Sequence, residues 1–287
     1  MATVPSTQPT DVVVAVDGSE SSQAALRWAA GLGLPLRVVQ TWEYPSTIPL
    51  PWSRLTSHTP EEVDQEVESA LRELVSSSLP DGIPVTSEVL RGPAATALIN
   101  HAAETRPRML VVGSRGHGGF AGLRLGSVSR HCLEHAPCPV VMVPGPERTT
   151  AESTLSSIAV GVDDSELSKR ALDLAIGLAG DTGASVTTIH VFDIERAHLP
   201  ADVTLSIRSA VDEQMAAQRE EALSRHEVSE ALIVDGDPRR MLPDTAAEHH
   251  ADLLVVGALG AGTVNKDLGP VASYLASHTT IPLAVVR

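Results

Sequence analysis

Val14-Ala-Val-Asp-Gly-Ser-Glu20 recurs as Val160-Gly-Val-Asp-Asp-Ser-Glu166, and each copy runs directly into an amphipathic stretch rich in Ala and Leu. A short apolar run, a turn of Asp, Gly or Asp, and Ser, and then a segment of helical period predict one strand-turn-helix unit used twice. The same correspondence continues outward at an offset of about 145 residues. Leu36 to Thr41 and Ser185 to Phe192 read as second strands, each leading into a longer segment, in the first copy with Val63, Val67, Leu71 and Leu74 at helical spacing. Val85 to Leu90 and Ala231 to Val234 read as third strands, followed by Gly92 or Gly236 and a helix containing Leu98 or Leu242. Leu110-Val-Val-Gly113 matches Leu254-Val-Val-Gly257, a glycine-rich loop and helix follow, and the copies close on Pro139 to Val143 and Pro282 to Val286.

Strands alternating with helices predict an α/β chain: two tandem, doubly wound, five-stranded parallel-sheet domains of Rossmann-like type with right-handed crossovers. The reading places domain 1 at residues 1–146 and domain 2 at 153–287. Pro144 to Ser156, rich in Pro, Thr, Ser and Glu without periodicity, reads as a short linker. The bulk numbers agree. The 287 residues are 43% hydrophobic with mean hydropathy +0.06, enough for two cores, and only 2% aromatic, which suits small-residue packing of helices on a buried sheet.

Composition also excludes. A formal net charge of −15 would repel a phosphate backbone, so nucleic acid is not expected as a partner. No apolar run reaches the roughly 18 residues needed to span a bilayer, and Met1 to Pro9 has neither a basic start nor an apolar stretch, so a cytoplasmic location without membrane attachment is expected. Two cysteines, Cys132 and Cys138, cannot build a disulfide framework or a four-cysteine metal site. His131 and His135 beside them match no zinc-finger spacing and read as helix-end residues.

Ligands of a doubly wound sheet bind beyond the carboxyl ends of the strands where strand order reverses, which directs attention to the loops after the first and fourth strands. The first holds Asp17, or Asp163 in the second copy. The other reads Gly113-Ser-Arg-Gly116, nine residues, then Gly126-Ser-Val-Ser129 at a helix start. Glycines admit a close ligand, and the new helix offers unpaired NH groups and the positive end of its dipole, which favours a phosphate. From Thr105 to Leu133 stand five arginines, Arg106, Arg108, Arg115, Arg124 and Arg130. Against this, glycines also make long loops, Ser127 or Ser129 can simply cap a helix, and Asp17 can be a turn residue. The GxxxxGK[ST] phosphate loop is absent, and Gly116 to Ala121 fits GxGxxA only after the wrong strand.

The spacing G-x2-G-x9-G-S at Gly113, Gly116, Gly126 and Ser127, with the Val-Asp-Gly-Ser start, resembles the ATP-binding branch of the universal stress proteins over nearly the whole chain. The resemblance implies ATP as cofactor, with Mg2+ or Mn2+, held by Ala15, Asp17, Thr41, Gly113, Arg115, Gly116, Gly126, Ser127, Val128 and Ser129. In that scheme Asp17 lies near the ribose or the metal, Thr41 meets adenine, and Gly126 to Ser129 hold the phosphates. It also implies binding without appreciable turnover, in a homodimer or intrachain pseudo-dimer that acts with an unidentified protein partner in stress adaptation.

The second copy departs from the pattern. Its candidate residues are Asp163, Val191, Gly257, Gly260 and Gly269, but eight residues rather than nine separate the last two, and Pro270, Ala272 and Leu259 replace Ser127, Ser129 and Arg115. Charge differs too: residues 1–150 carry 11 basic and 15 acidic side chains, residues 151–287 carry 10 and 21. Weak or absent ATP binding is therefore expected there. The chain reads as a nucleotide-responsive regulator rather than an enzyme, the alternatives being a slow ATPase that uses Asp17 and a metal, or a scaffold whose loops are structural.

Overall fold

The computed structural model describes residues 11–43, 59–80, 82–116, 124–145, 155–192, 213, 228–261 and 267–287. The chain divides into two compact units, Met1–Glu147 and Arg148–Arg287. The centre of the expected linker, residues 146–154, lies outside the described residues, as does most of the segment following the second unit's second strand.

In the first unit the order is β1 (Val12–Val16), α1 (Glu20–Ala30), β2 (Leu36–Trp42), α2 (Pro60–Ser78), β3 (Val85–Arg91), α3 (Ala94–Thr105), β4 (Met109–Gly113), α4 (Ser127–His135) and β5 (Val140–Val143). All neighbours are parallel, in the spatial order β3-β2-β1-β4-β5. Chain order reverses between β1 and β4, where Val14 pairs with both Val38 and Val111. The second unit repeats the plan with β6 (Ser157–Val162), α5 (Glu166–Thr182), β7 (Ser185–Phe192), β8 (Glu230–Asp235), α6 (Pro238–Glu248), β9 (Leu253–Gly257), α7 (Pro270–His278) and β10 (Leu283–Val286). Its parallel order is β8-β7-β6-β9-β10.

Strands β4 and β5 are buried at every residue, as the faces of a parallel sheet covered by helices are. Small side chains let those helices approach: α1 buries Ala24, Ala25 and Ala29 around Leu26 and Trp28. Helix starts follow local chemistry. Ser19 and Ser165 cap α1 and α5 by accepting from Ser22 N and Ser168 N, and Thr59 with Glu62 forms a reciprocal capping box before Pro60 on α2. The turn after β1 needs a left-handed residue. Gly18 supplies it at φ 84°, whereas the second copy places Asp164 there at φ 61°.

Candidate functional site

At the switch point the loop after β1 and the loop after β4 are laced together, although about ninety residues separate them in sequence. Ser19 Oγ donates to Arg115 O, Arg115 N donates to Ser21 Oγ, and Ser21 and Ser114 share a hydrogen bond between hydroxyls, each at 3.3 Å. Asp17 Oδ1 accepts from Ser19 N at 3.0 Å, and its other carboxylate oxygen lies over Gly116, where a Cβ would collide with it. Asp17, Gly113, Arg115 and Gly116 are thereby brought together. Thr41 and Ala15 flank them, both half-buried: Ala15 pairs with Val39 inside β1, and Thr41 pairs with Leu90 near the end of β2.

The glycines have internal reasons to be glycine. A Cβ on Gly113 would stand 2.7 Å from Ser21 C and Oγ, so this position lets α1 settle on β4. Gly126 N donates to Ser114 O at 2.7 Å, and Gly269 N to Ala258 O at 2.8 Å, which pins each helix start to its loop. Beyond Gly126, α4 begins with no side chain capping it. Its third NH, on Ser129, therefore lacks the side-chain acceptor that Ser19 gives Ser22 N in α1, and the NH groups of Ser127 and Val128 have no intrahelical carbonyl to reach. Among the described residues Arg115, half-buried, has no carboxylate partner, and its guanidinium reaches toward Gly145, just past the end of β5.

Two expectations are corrected. Ser129 does not present its hydroxyl outward: the side chain is 5% exposed and donates to Gly113 O at 2.6 Å, tying α4 to the end of β4. Nor do all five arginines face the loop. Arg106 ends α3 at φ 47°, and Arg108 N donates to Asp11 O, so both lie at the entry edge of β4. A five-residue strand, about 13 Å long, separates them from the ligand edge. Only Arg115, Arg124 and Arg130 follow β4.

The sequence reading missed a polar cluster on this same edge, at the ends of β2 and β3. Trp42 Nε1 donates to Asp64 Oδ1 at 2.7 Å, and Arg91, paired in register with Trp42, binds the same carboxylate through Nε at 2.9 Å. Arg91 beside it holds the Asp64 carboxyl below the usual range. The signal was available: Trp42 follows Thr41, and Arg91 precedes the turn glycine.

In the second unit Asp163, Val191, Gly257, Gly260 and Gly269 all line one cleft of about 270 Å3. Its walls are Ile189, Leu242, Val256 and Leu259, with Pro270 at the start of α7, and no lysine or arginine lines it among the described residues. Half-burial pushes the Asp163 carboxyl up, but donation from Ser165 Oγ at 2.6 Å and Ala261 N at 2.8 Å outweighs it, and the group lies below the ordinary aspartate value. Both units thus present a carboxylate, Asp17 or Asp163, but the second sets the apolar Leu259 where the first has Arg115. Pro270 also removes one helix-start NH.

Cys132 and Cys138 are buried, and burial pushes their thiols up to about 12 and about 11, so neither supplies a ready thiolate.

Fold and site together define a class: a tandem pair of doubly wound α/β domains, each with a glycine-bordered loop and an uncapped helix start at its switch point. The profile of the universal stress protein family matches residues 10–144 and again residues 155–287. The chain belongs to that family. Universal stress protein Rv1996 of Mycobacterium tuberculosis H37Rv is 30% identical over 305 residues, covering 96% of this chain and 94% of the relative. Rv2623 of the same organism is 28% identical over 293 residues, covering 96% of each. A universal stress protein from Archaeoglobus fulgidus shares the fold with a TM-score of 0.67 at 19% identity, over 98% of this chain and 99% of that one. No helix among the described residues is long and apolar enough to cross a membrane.

Proposed function

We propose that the first unit binds ATP with a divalent cation and that the bound state acts as a regulatory signal in stress adaptation, with little or no hydrolysis. The observation that carries this reading is the uncapped start of α4, pinned to the Ser114–Arg115 loop whose Gly116 packs under Asp17, with Arg115 lacking an acidic partner among the described residues at the sheet's switch point. The residues fit the group. Ser127 and Val128 NH groups and Arg115 would take phosphate oxygens, and Asp17 would lie toward ribose or metal. The cation would neutralise phosphate charge beside Asp17 in an acidic chain.

Low turnover is inferred from what surrounds Asp17. Its Oδ1 accepts from Ser19 N, its other oxygen packs over Gly116, and hydrolysis needs a positioned water and fixed charge stabilisation besides. The second unit is proposed to bind ATP weakly or not at all.

Mass spectrometry of gently purified protein, native and then denatured, tests the binding half. Near one adenine nucleotide per chain after incubation with ATP and Mg2+, lost in Arg115→Leu, is expected, whereas no nucleotide at millimolar ATP would return the protein to the scaffold reading. Steady turnover abolished by Asp17→Asn would make it a slow ATPase. Sedimentation with and without ATP tests the regulatory half, because a ligand shifts a protein only through unequal affinity for its states. A changed association state or shape is expected, and identical profiles would remove the regulatory role.

A further inference from the structure

We propose that His131, Glu134 and His135 form a site for one divalent transition-metal ion of the zinc class on the exposed face of α4. The three side chains bring one ligand atom each to within 4.8 Å of one another. The two imidazoles meet edge to face, with ring centroids 4.4 Å apart and planes at 79°. Four residues apart on a helix is the spacing that stacks two side chains on one face, and Glu134 follows His131 by three. Around a tetrahedral zinc with bonds of about 2.1 Å, neighbouring ligand atoms stand about 3.4 Å apart, a closure that rotamer adjustment of the two exposed histidines makes. Cys132, between the ligands in sequence, faces the core.

The donor set chooses the metal. Two imidazole nitrogens and one carboxylate suit Zn2+, Co2+, Ni2+ or Cu2+ and discriminate against Mg2+ and Ca2+, which prefer an all-oxygen shell. Three protein ligands leave a fourth position for water. The ion would lie along the C-terminal half of α4, where the negative end of the helix dipole adds attraction.

The second unit is an internal control. At the equivalent places on α7 stand Tyr274, Ser277 and His278. There the imidazole stacks on Tyr274 at 3.9 Å and donates Nδ1 to Tyr274 O, while Ser277 donates to Ser273 O. The metal-binding triad thus belongs to the first copy alone. It stands independently of nucleotide binding.

Full-length, nucleotide-free protein is titrated with Zn2+ against a chromogenic chelator and with Co2+ under visible absorption, beside His131→Ala, His135→Ala and Glu134→Gln. One Zn2+ per chain is expected, resistant to excess Mg2+, with a Co2+ spectrum of low coordination number. Either histidine variant weakens it at least roughly tenfold and Glu134→Gln less so. The two exposed histidine substitutions leave thermal unfolding in the absence of metal unchanged. Binding that persists in both histidine variants would assign the metal to others of the 11 histidines, and no binding by the wild type would remove the site; either overturns the proposal.

Discussion

Replacing Ser127 by proline copies the second unit's Pro270 into the first and removes one backbone NH together with the Ser127 hydroxyl, and Ser127→Ala alongside, which keeps the NH, separates the two. The fold tolerates it. Gly126 sits at φ −73° and ψ 157°, extended backbone of the kind a residue before proline adopts, and Gly269 before Pro270 has nearly the same angles, −63° and 163°. Both helices that follow have nine residues, and the α4 start has no side-chain cap to lose. Proline at the first helical position removes an NH that no intrahelical carbonyl uses. If that NH holds a phosphate, its loss costs about 1.5–3 kcal/mol, a drop in ATP affinity of about ten- to a hundredfold. Calorimetric titration of the full chain with ATP and Mg2+ measures the affinity, and a thermal melt without nucleotide checks the fold. Affinity within threefold of wild type at an unchanged melting temperature would refute phosphate binding at this helix start. The reverse change, Pro270→Ser with Leu259→Arg, is expected to give the second unit measurable but weak ATP binding.

Gly113→Ala places a methyl against the backbone of α1 and is expected to destabilise the nucleotide-free protein by about 1–3 kcal/mol in denaturant unfolding. Full stability with lost ATP binding would mean that the glycine serves the ligand instead. Asp164→Gly relieves a left-handed aspartate and is expected to stabilise the second unit by about 0.5–1 kcal/mol, read as a rise in its unfolding midpoint. Asp163 is held below the ordinary aspartate value in the folded state, so its contribution is present above the unfolded value of about 3.9 and is lost as pH falls through the lower folded value. Asp163→Asn is accordingly expected to destabilise at pH 7, with the gap from wild type closing below about pH 4. A gap independent of pH would show that its hydrogen-bond geometry, not its charge, matters.

The repeat, the alternation of strands and helices along the chain and the loops at which to look for a site follow from local signals: apolar runs of strand length, turn residues at fixed places, and the same series occurring twice. The exchanges of Arg115 for Leu259 and Ser127 for Pro270 were readable too, because aligned copies of one chain show them directly. Other features depended on which strands are neighbours and which helix face is covered. Arg106 and Arg108 are near Arg115 in sequence, yet a strand carries the chain across the sheet between them. Gly113 packs against Ser21 because parallel pairing sets β4 beside β1, a contact no periodicity reveals. Ser129 turns inward to Gly113 O, whereas His131, Glu134 and His135, on the same helix, share the outer face. Sequence determines a helix's spacing through backbone geometry, but only packing on the sheet decides which side meets water.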